Sequence, residues 1–124
     1  MFKYKCSERA HTIIHYQIIA VGAILAGAAP TRIDALEIYA KQIGLAFQIA
    51  DDVLNVEGDS TMLGKAVGTD QTRGKSTYPA LLGLEPAKAL ARKMIDTALE
   101  AIRNFDDQAD PLRALAQYII MRRH

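Results

Sequence analysis

Residues 86–102 read PAKALARKMIDTALEAI, a segment in which apolar side chains return every three or four positions. An α-helix turns once in about 3.6 residues, so this spacing gathers them on one face and predicts a surface helix that packs on a core. Pro86 suits the first turn of such a helix. The stripe consists of Ala87, Leu90, Ala91, Met94, Ile95, Ala98 and Ile102.

The same helical period extends along most of the chain, and no segment shows the sustained alternation of a β-strand. We therefore predict an all-α fold. The apolar run 18–30 is predicted to form a buried helix whose small residues admit a close neighbour, and Pro30 should end it. Further expected elements are a helix from Arg32 to Leu54 capped by Thr31, a loop from Val56 to Lys75, and a short helix from Pro79 to Leu84.

The last predicted helix is opened by Pro111, is capped by Asp110 and runs to the chain end. Its final turn would contain Arg122, Arg123 and His124. The side chains expected to point inward are Leu112, Leu115, Ala116, Ile119 and Ile120.

Length and charge limit the possible functions. The chain has 124 residues, enough for one modest domain, and its formal net charge is only +1. That charge creates no long-range field for nucleic acid or an anionic membrane surface. The longest apolar run falls short of the roughly 20 residues that span a bilayer. With a single cysteine, Cys6, and no recognisable signal peptide, a cytoplasmic location is expected.

Candidate chemistry concentrates at residues 47–55, which read FQIADDVLN. On a helix, Asp51 and Asn55 share a face, and Asp52 lies three positions before Asn55. Such oxygen ligands suit Mg²⁺, which is usually held by one or two carboxylates together with substrate phosphates. At a helix carboxyl end the dipole would disfavour these carboxylates, and a bound cation would relieve the conflict. The alternative is a solvated acidic helix end without a ligand.

The loop that follows adds cationic side chains among glycines. Lys65, Arg73 and Lys75 could donate to a polyphosphate, and Asp70 lies between them. A cation site followed by basic donors is a more specific pattern than either part alone.

Four ordered segments together resemble the trans-isoprenyl diphosphate synthases, most closely the bacterial farnesyl and geranylgeranyl type. They are GLAFQI at 44–49, Asp51-Asp52, LGK at 63–65 and GKSTYPALLGLE at 74–85. The resemblance runs from about Gly22 to His124 and includes the ending Tyr118-Ile119-Ile120. It implies the all-α isoprenoid synthase fold, with two aspartate-rich motifs facing each other across a central cavity.

The resemblance also implies roles for individual residues. Asp51, Asp52 and Asn55 match the second aspartate motif, which holds Mg²⁺ bridging to an allylic diphosphate, although Asn55 replaces the usual Asp and removes one charge. Lys65 and Lys75 match lysines aimed at the diphosphate, and Asp70 matches an acid that orients them. Phe47 and Gln48 match residues beside the substrates. The implied reaction condenses isopentenyl diphosphate with an allylic diphosphate.

Two other patterns are weaker. Residues 106–110 spell Asp-Asp-x-x-Asp again but lie between two helices, so we interpret them as a solvated loop. His11 and His15 could share one face of a helix, yet no third ligand accompanies them.

The resemblance implies that the chain is the carboxyl-terminal half of a synthase, a single partial domain over residues 1–124 with a diverged or foreign start at 1–17. Independent catalysis would then be weak. We expect a homodimer, as is usual for the family, or association with helices of the missing half. The alternatives are a non-catalytic helical partner derived from a synthase and a helical module without a ligand.

Overall fold

The computed structural model describes residues 16–61 and 77–122, and these form helices with no strand among them. The predicted all-α class is confirmed. We label the helices α1 to α5 in chain order. They are α1 at residues 16–25, α2 at Pro30–Thr61, α3 at Tyr78–Leu82, α4 at Leu84–Ala101 and α5 at Asp110–Met121, with a 3-10 turn at Asp107–Ala109.

Helix α2 is longer at both ends than the sequence predicted. Pro30 is its first residue and does not close α1, while Thr31 lies inside the helix and is not its cap. The helix also continues to Thr61, so the first part of the predicted loop is helical. Proline is compatible with this start because the first turn of a helix needs no amide donor.

Helices α3 and α4 meet at Gly83, whose φ of 95° lies in the region that favours glycine. Its amide donates to the Pro79 carbonyl at 2.8 Å, which closes α3. The boundaries therefore differ by a few residues from those predicted: α3 ends at Leu82, and α4 begins two residues before Pro86.

The prediction that Asp110 caps α5 is wrong, because Ala109 occupies the N-cap position. Asp110 is the first helical residue, and its carboxylate pairs with Arg113 at 2.7 Å. Asp106 instead caps the 3-10 turn by accepting from the Gln108 amide at 3.0 Å. The second Asp-Asp-x-x-Asp pattern was predicted to be a solvated loop, and its three carboxylates are exposed. It is not a simple loop, however, because residues 107–109 form a 3-10 turn with Ala109 buried and Asp110 begins α5.

The core lies where α2 packs against α4, the most extensive contact between the described helices. The predicted stripe of α4 is confirmed, since five of its members are buried and the other two are half-buried. Two apolar clusters result. The larger contains Tyr39, Ala46, Ile95, Ala98, Ile102, Ala116 and Ile119, and the smaller contains Ile49, Val53, Ala87 and Ala91.

Helix α1 differs most from its prediction as a buried helix. Only Ala20 and Ala23 are buried, and a side chain added at Gly22 would meet no atom within 4 Å. In α5, likewise, Leu115 and Ile120 are exposed although they were predicted to point inward. Helices α1 and α5 therefore bury narrower faces than their apolar patterns suggest.

Candidate functional site

Helix α2 carries the candidate site on the side that adjoins its core face. Ala46, Ile49 and Val53 turn into the core, three and four residues apart. Phe47 and Asp51 lie four apart on a neighbouring face and are both partly open, with the Asp51 side chain 41% exposed. The helical period thus stacks an aromatic ring and a carboxylate one turn apart beside the core.

Asp52 has a different environment from Asp51. It is only 3% exposed, and its Oδ2 accepts from the backbone amide of Tyr78 at 3.5 Å. Tyr78 begins α3, so this carboxylate links α2 to the start of α3. Burying a carboxylate is costly unless hydrogen bonds compensate for lost water, and the amide donor supplies part of that compensation.

Asp51 interacts with a residue that the sequence analysis placed elsewhere. Arg122 had been predicted in the final turn of α5, but that helix ends at Met121, and Arg122 adopts an extended backbone with φ of −64° and ψ of 144°. Its guanidinium pairs with the Asp51 carboxylate and lies 4.5 Å from the centroid of the Phe47 ring. No sequence signal links residues 71 positions apart, so pattern analysis missed this contact.

Asn55 is exposed and lies one turn after Asp51. Because α2 continues to Thr61, the candidate carboxylates are inside the helix and not at its end. The predicted conflict with the helix dipole is therefore wrong, since the dipole acts mainly within the last turn. The shared face of Asp51 and Asn55, in contrast, is preserved by the unbroken helix.

Several predicted residues lie outside the described part of the chain. They are the loop residues Lys65, Asp70, Arg73 and Lys75, and the histidines His11 and His15. Their proposed roles stay predictions from the sequence.

An apolar cleft of about 290 Å³ opens beside Phe47 and Gln48. Helices α1, α2 and α5 all contribute to its wall. The lining residues include Ile19, Ile43, Leu112, Leu115 and Tyr118. Since Asp51 follows Phe47 by one turn, a cation bound at Asp51, and an anionic group held by that cation, would lie near the apolar cleft. That combination suits an amphipathic ligand with a charged head and a hydrocarbon body.

A second, smaller cleft of about 80 Å³ lies between α2, α4 and the end of α5. On its rim Lys88 pairs with Glu57, and the hydrogen bond that the Lys88 ammonium donates to the Glu57 carboxylate raises the pKa of Lys88. Glu85 lies 3.5 Å from the same ammonium group. The pair between Lys88 and Glu57, both half-buried, connects α4 to the last turns of α2.

The candidate site contains two adjacent carboxylates with a neutral amide one turn away. Among residues 16–61 and 77–122, no three His, Cys, Asp or Glu side chains gather into a ready metal site. The half-exposed Asp51 carboxylate, with the Asn55 amide one turn away, nevertheless fits Mg²⁺, which commonly completes its octahedral shell with water and substrate phosphate oxygens. Asp51 already pairs with one cationic group, the guanidinium of Arg122. We conclude that the donor set fits a hard divalent cation.

Solved structures identify the class of fold. The chain superposes on an FPP/GFPP synthase from Zymomonas mobilis with a TM-score of 0.72 and 37% identity, covering 87% of this chain and 34% of that one. A putative farnesyl-diphosphate synthase from Marinomonas sp. MED121 gives a TM-score of 0.71 at 34% identity, covering 91% and 38%. The helices therefore belong to the isoprenoid synthase fold.

Sequence comparison then gives the family. The farnesyl diphosphate synthase of Escherichia coli K12 is 49% identical over 108 residues, which are 84% of this chain and 36% of that protein. Geranylgeranyl pyrophosphate synthase 11 of Arabidopsis thaliana is 46% identical over 103 residues, or 82% and 29%. The family model described as polyprenyl synthetase matches residues 2–118. This chain belongs to that family of trans-isoprenyl diphosphate synthases.

The chain spans only about a third of the length of the curated relatives it matches. Within the described residues, no helix is both long and apolar enough to cross a membrane.

Proposed function

We propose that this chain provides the second aspartate motif and the neighbouring substrate wall of a prenyltransferase. The reaction would condense isopentenyl diphosphate with an allylic diphosphate. The observation that carries the proposal is the position of Asp51, half-exposed and one helical turn from Phe47 at the apolar cleft. The head of an allylic diphosphate is strongly anionic and its tail is hydrocarbon, so it requires this pairing of a cation site with an apolar wall.

Each candidate residue of this chain would have a separate role in the proposed reaction. Asp51 offers an accessible carboxylate for Mg²⁺, Asp52 is buried and fixes α2 against the start of α3, and Asn55 adds a neutral oxygen on the same face as Asp51. Phe47 and Gln48 line the cleft for the hydrocarbon chain. When bound, Mg²⁺ would neutralise the charge that develops on the departing diphosphate.

In the proposed reaction, the allylic carbon–oxygen bond breaks and the diphosphate leaves with the electron pair. The double bond of isopentenyl diphosphate then attacks the cationic carbon, and the departed diphosphate takes up the proton whose loss creates a new double bond. By resemblance, Lys65 and Lys75 would stabilise the leaving diphosphate, with Asp70 orienting them. An apolar cleft excludes water, which would otherwise capture the carbocation.

The test is calorimetric titration of the chain with a non-hydrolysable allylic diphosphate analogue, with and without Mg²⁺. We expect Mg²⁺-dependent binding that weakens by about tenfold or more in Asp51→Asn, since one metal ligand loses its charge. Asp96→Asn is the matched control because Asp96 is exposed on α4 and is expected to have no effect. Equal binding by wild type and Asp51→Asn would refute the assigned metal role.

A second candidate function is that of a non-catalytic helical partner, by association with a synthase or as a homodimer. The observation that favours it is the exposed apolar side of α1, where the exposed fractions range from 53% at Val21 to 82% at Leu25 and also include Ile18 and Ile24. Large exposed apolar patches commonly mark contact surfaces. Light scattering after gel filtration, alone and with a full-length synthase, tests this role. A monomer that does not co-elute would exclude it.

A further inference from the structure

The end of α5 directs one arginine toward the candidate cation site. After Met121 the backbone leaves the helix, and the Arg122 amide still donates to the Tyr118 carbonyl at 3.0 Å. This bond fixes the last turn, so the position of Arg122 follows from the helix end. The Arg122 side chain is only 14% exposed, far less than expected for a terminal basic residue.

Arg122 is held by charge and by aromatic contact, without a full set of hydrogen bonds. Its Nη2 donates to Asp51 Oδ1, and its guanidinium carbon lies 4.5 Å from the Phe47 ring centroid. Its Nε is buried and has no hydrogen-bond partner. An unpaired buried donor is unfavourable, so the ion pair and the cation–π contact must offset that cost.

We propose that Arg122 is a built-in competitor for the divalent cation at Asp51. Mg²⁺ that coordinates Oδ1 directly would lie about 2.0–2.1 Å from that oxygen. If the guanidinium stayed in contact with the same oxygen, two cations would be close together and would repel each other. Cation binding and the Arg122–Asp51 pair are therefore antagonistic. The inference rests on the proposed function, because it concerns the same carboxylate.

The consequence is a site whose affinity for metal is set by its own arginine. Without a divalent cation, Arg122 neutralises Asp51 and covers one face of Phe47. Metal binding must first break both contacts, which lowers the apparent affinity by the free energy of those contacts. In the alternative arrangement, the metal binds the other carboxylate oxygen of Asp51 and the ion pair with Arg122 persists. The experiments below distinguish this arrangement from competition.

The first test is titration of the 124-residue chain with Mn²⁺, with free Mn²⁺ measured by electron paramagnetic resonance. Removing a pair worth roughly 1 kcal/mol corresponds to about a fivefold change in affinity, so Arg122→Gln should bind Mn²⁺ about three to ten times more tightly. Arg92→Gln is the matched control, because Arg92 lines the same small cleft as Arg122 and its substitution removes the same charge. We expect less than a twofold effect from it.

A second test observes the arginine directly. In a chain labelled with ¹⁵N, the Arg122 Nε–H resonance is followed while Mg²⁺ is added. At saturation the resonance should move toward its position in metal-free Asp51→Asn, a variant in which the ion pair with Arg122 is already absent. An unchanged resonance at saturation would overturn the competition.

The outcomes separate this inference from the function on which it rests. Mn²⁺ binding that is equal in wild type and Arg122→Gln, or weaker in the variant, overturns the competition and leaves the proposed metal site intact. No Mn²⁺ binding by wild type, Arg122→Gln and Arg92→Gln overturns both. Tighter binding in both arginine variants to the same degree would indicate a general charge effect and would also overturn the competition.

Discussion

Arg122 and Asp51, which are 71 positions apart in the sequence, form an ion pair that connects the end of α5 to the middle of α2. The Arg122 side chain is largely buried while that of Asp51 is half-exposed. Asp51 thus has two possible partners, a guanidinium in the isolated chain and a divalent cation in the proposed enzyme. The carboxylate that pairs with Arg122 in this structure is therefore the one assigned to the metal in the proposed function.

The first prediction concerns the stability of this pair. A double-mutant cycle with Asp51→Asn, Arg122→Gln and the double variant should give a coupling free energy of about 1 kcal/mol. That is the upper part of the range for surface pairs, because Arg122 is shielded from water. Urea unfolding in metal-free buffer measures it. A coupling below about 0.3 kcal/mol would mean that the pair is energetically neutral.

A second prediction concerns the alanines at the centre of the core. Ala98 is fully buried in the larger cluster, in which Ala46 and Ala116 also allow helices to approach closely. Ala98→Leu should reduce the free energy of unfolding by about 1–3 kcal/mol, because the added methyl groups overfill the space. Denaturant unfolding tests this.

Ala89→Leu is the matched control for that substitution. Ala89 lies on the exposed face of the same helix, and the change should stay within about 0.5 kcal/mol. Equal effects at both positions would show that helix propensity, and not packing, determines the result.

Sequence patterns predicted this fold where local rules govern. The spacing of Ala87, Ala91 and Ile95 identified the buried face of α4 because helical geometry fixes which side chains share a face. The apolar residues of α1 were predicted to be buried for the same reason, yet most are exposed. Periodicity identifies an apolar face but does not reveal which element covers it.

The candidate site, too, could be predicted from the sequence only in part, because long-range contacts determine its environment. Adjacent carboxylates drew attention to Asp51 and Asp52, but their sequence environment did not predict that one is half-exposed and the other buried. The two carboxylates also have different partners, since the first amide of α3 reaches Asp52 and Arg122 reaches Asp51. Both are long-range contacts, and neither follows from the sequence around residues 47–55.

A third prediction tests the start of α3. The hydroxyl of Thr77 accepts from the Ala80 amide at 3.2 Å and caps this helix. Thr77→Ala should cost about 1 kcal/mol of unfolding free energy because a helix-end amide loses its partner. Thr77→Ser retains the hydroxyl and should cost much less. Faster hydrogen exchange at the Ala80 amide in Thr77→Ala alone would localise the effect, and equal exchange in both variants would contradict it.

The last prediction concerns alkaline pH. Tyr39 is fully buried, its hydroxyl donates to the Leu112 carbonyl at 2.8 Å, and burial raises its pKa to about 12. In the unfolded chain a tyrosine titrates near pH 10, so between pH 10 and 12 the unfolded state releases a proton that the folded state retains. The free energy of unfolding should therefore be unaffected by this group below pH 10 and should fall by on the order of 2 kcal/mol as the pH rises to 12.

Two tyrosine variants test this assignment. Tyr39→Phe should lower the free energy of unfolding by about 1 kcal/mol at neutral pH but remove this part of the alkaline loss. Tyr118→Phe, at an exposed position, should retain the alkaline loss. Urea unfolding at several pH values provides the comparison, and an alkaline loss in Tyr39→Phe as large as in wild type would assign the effect to other groups.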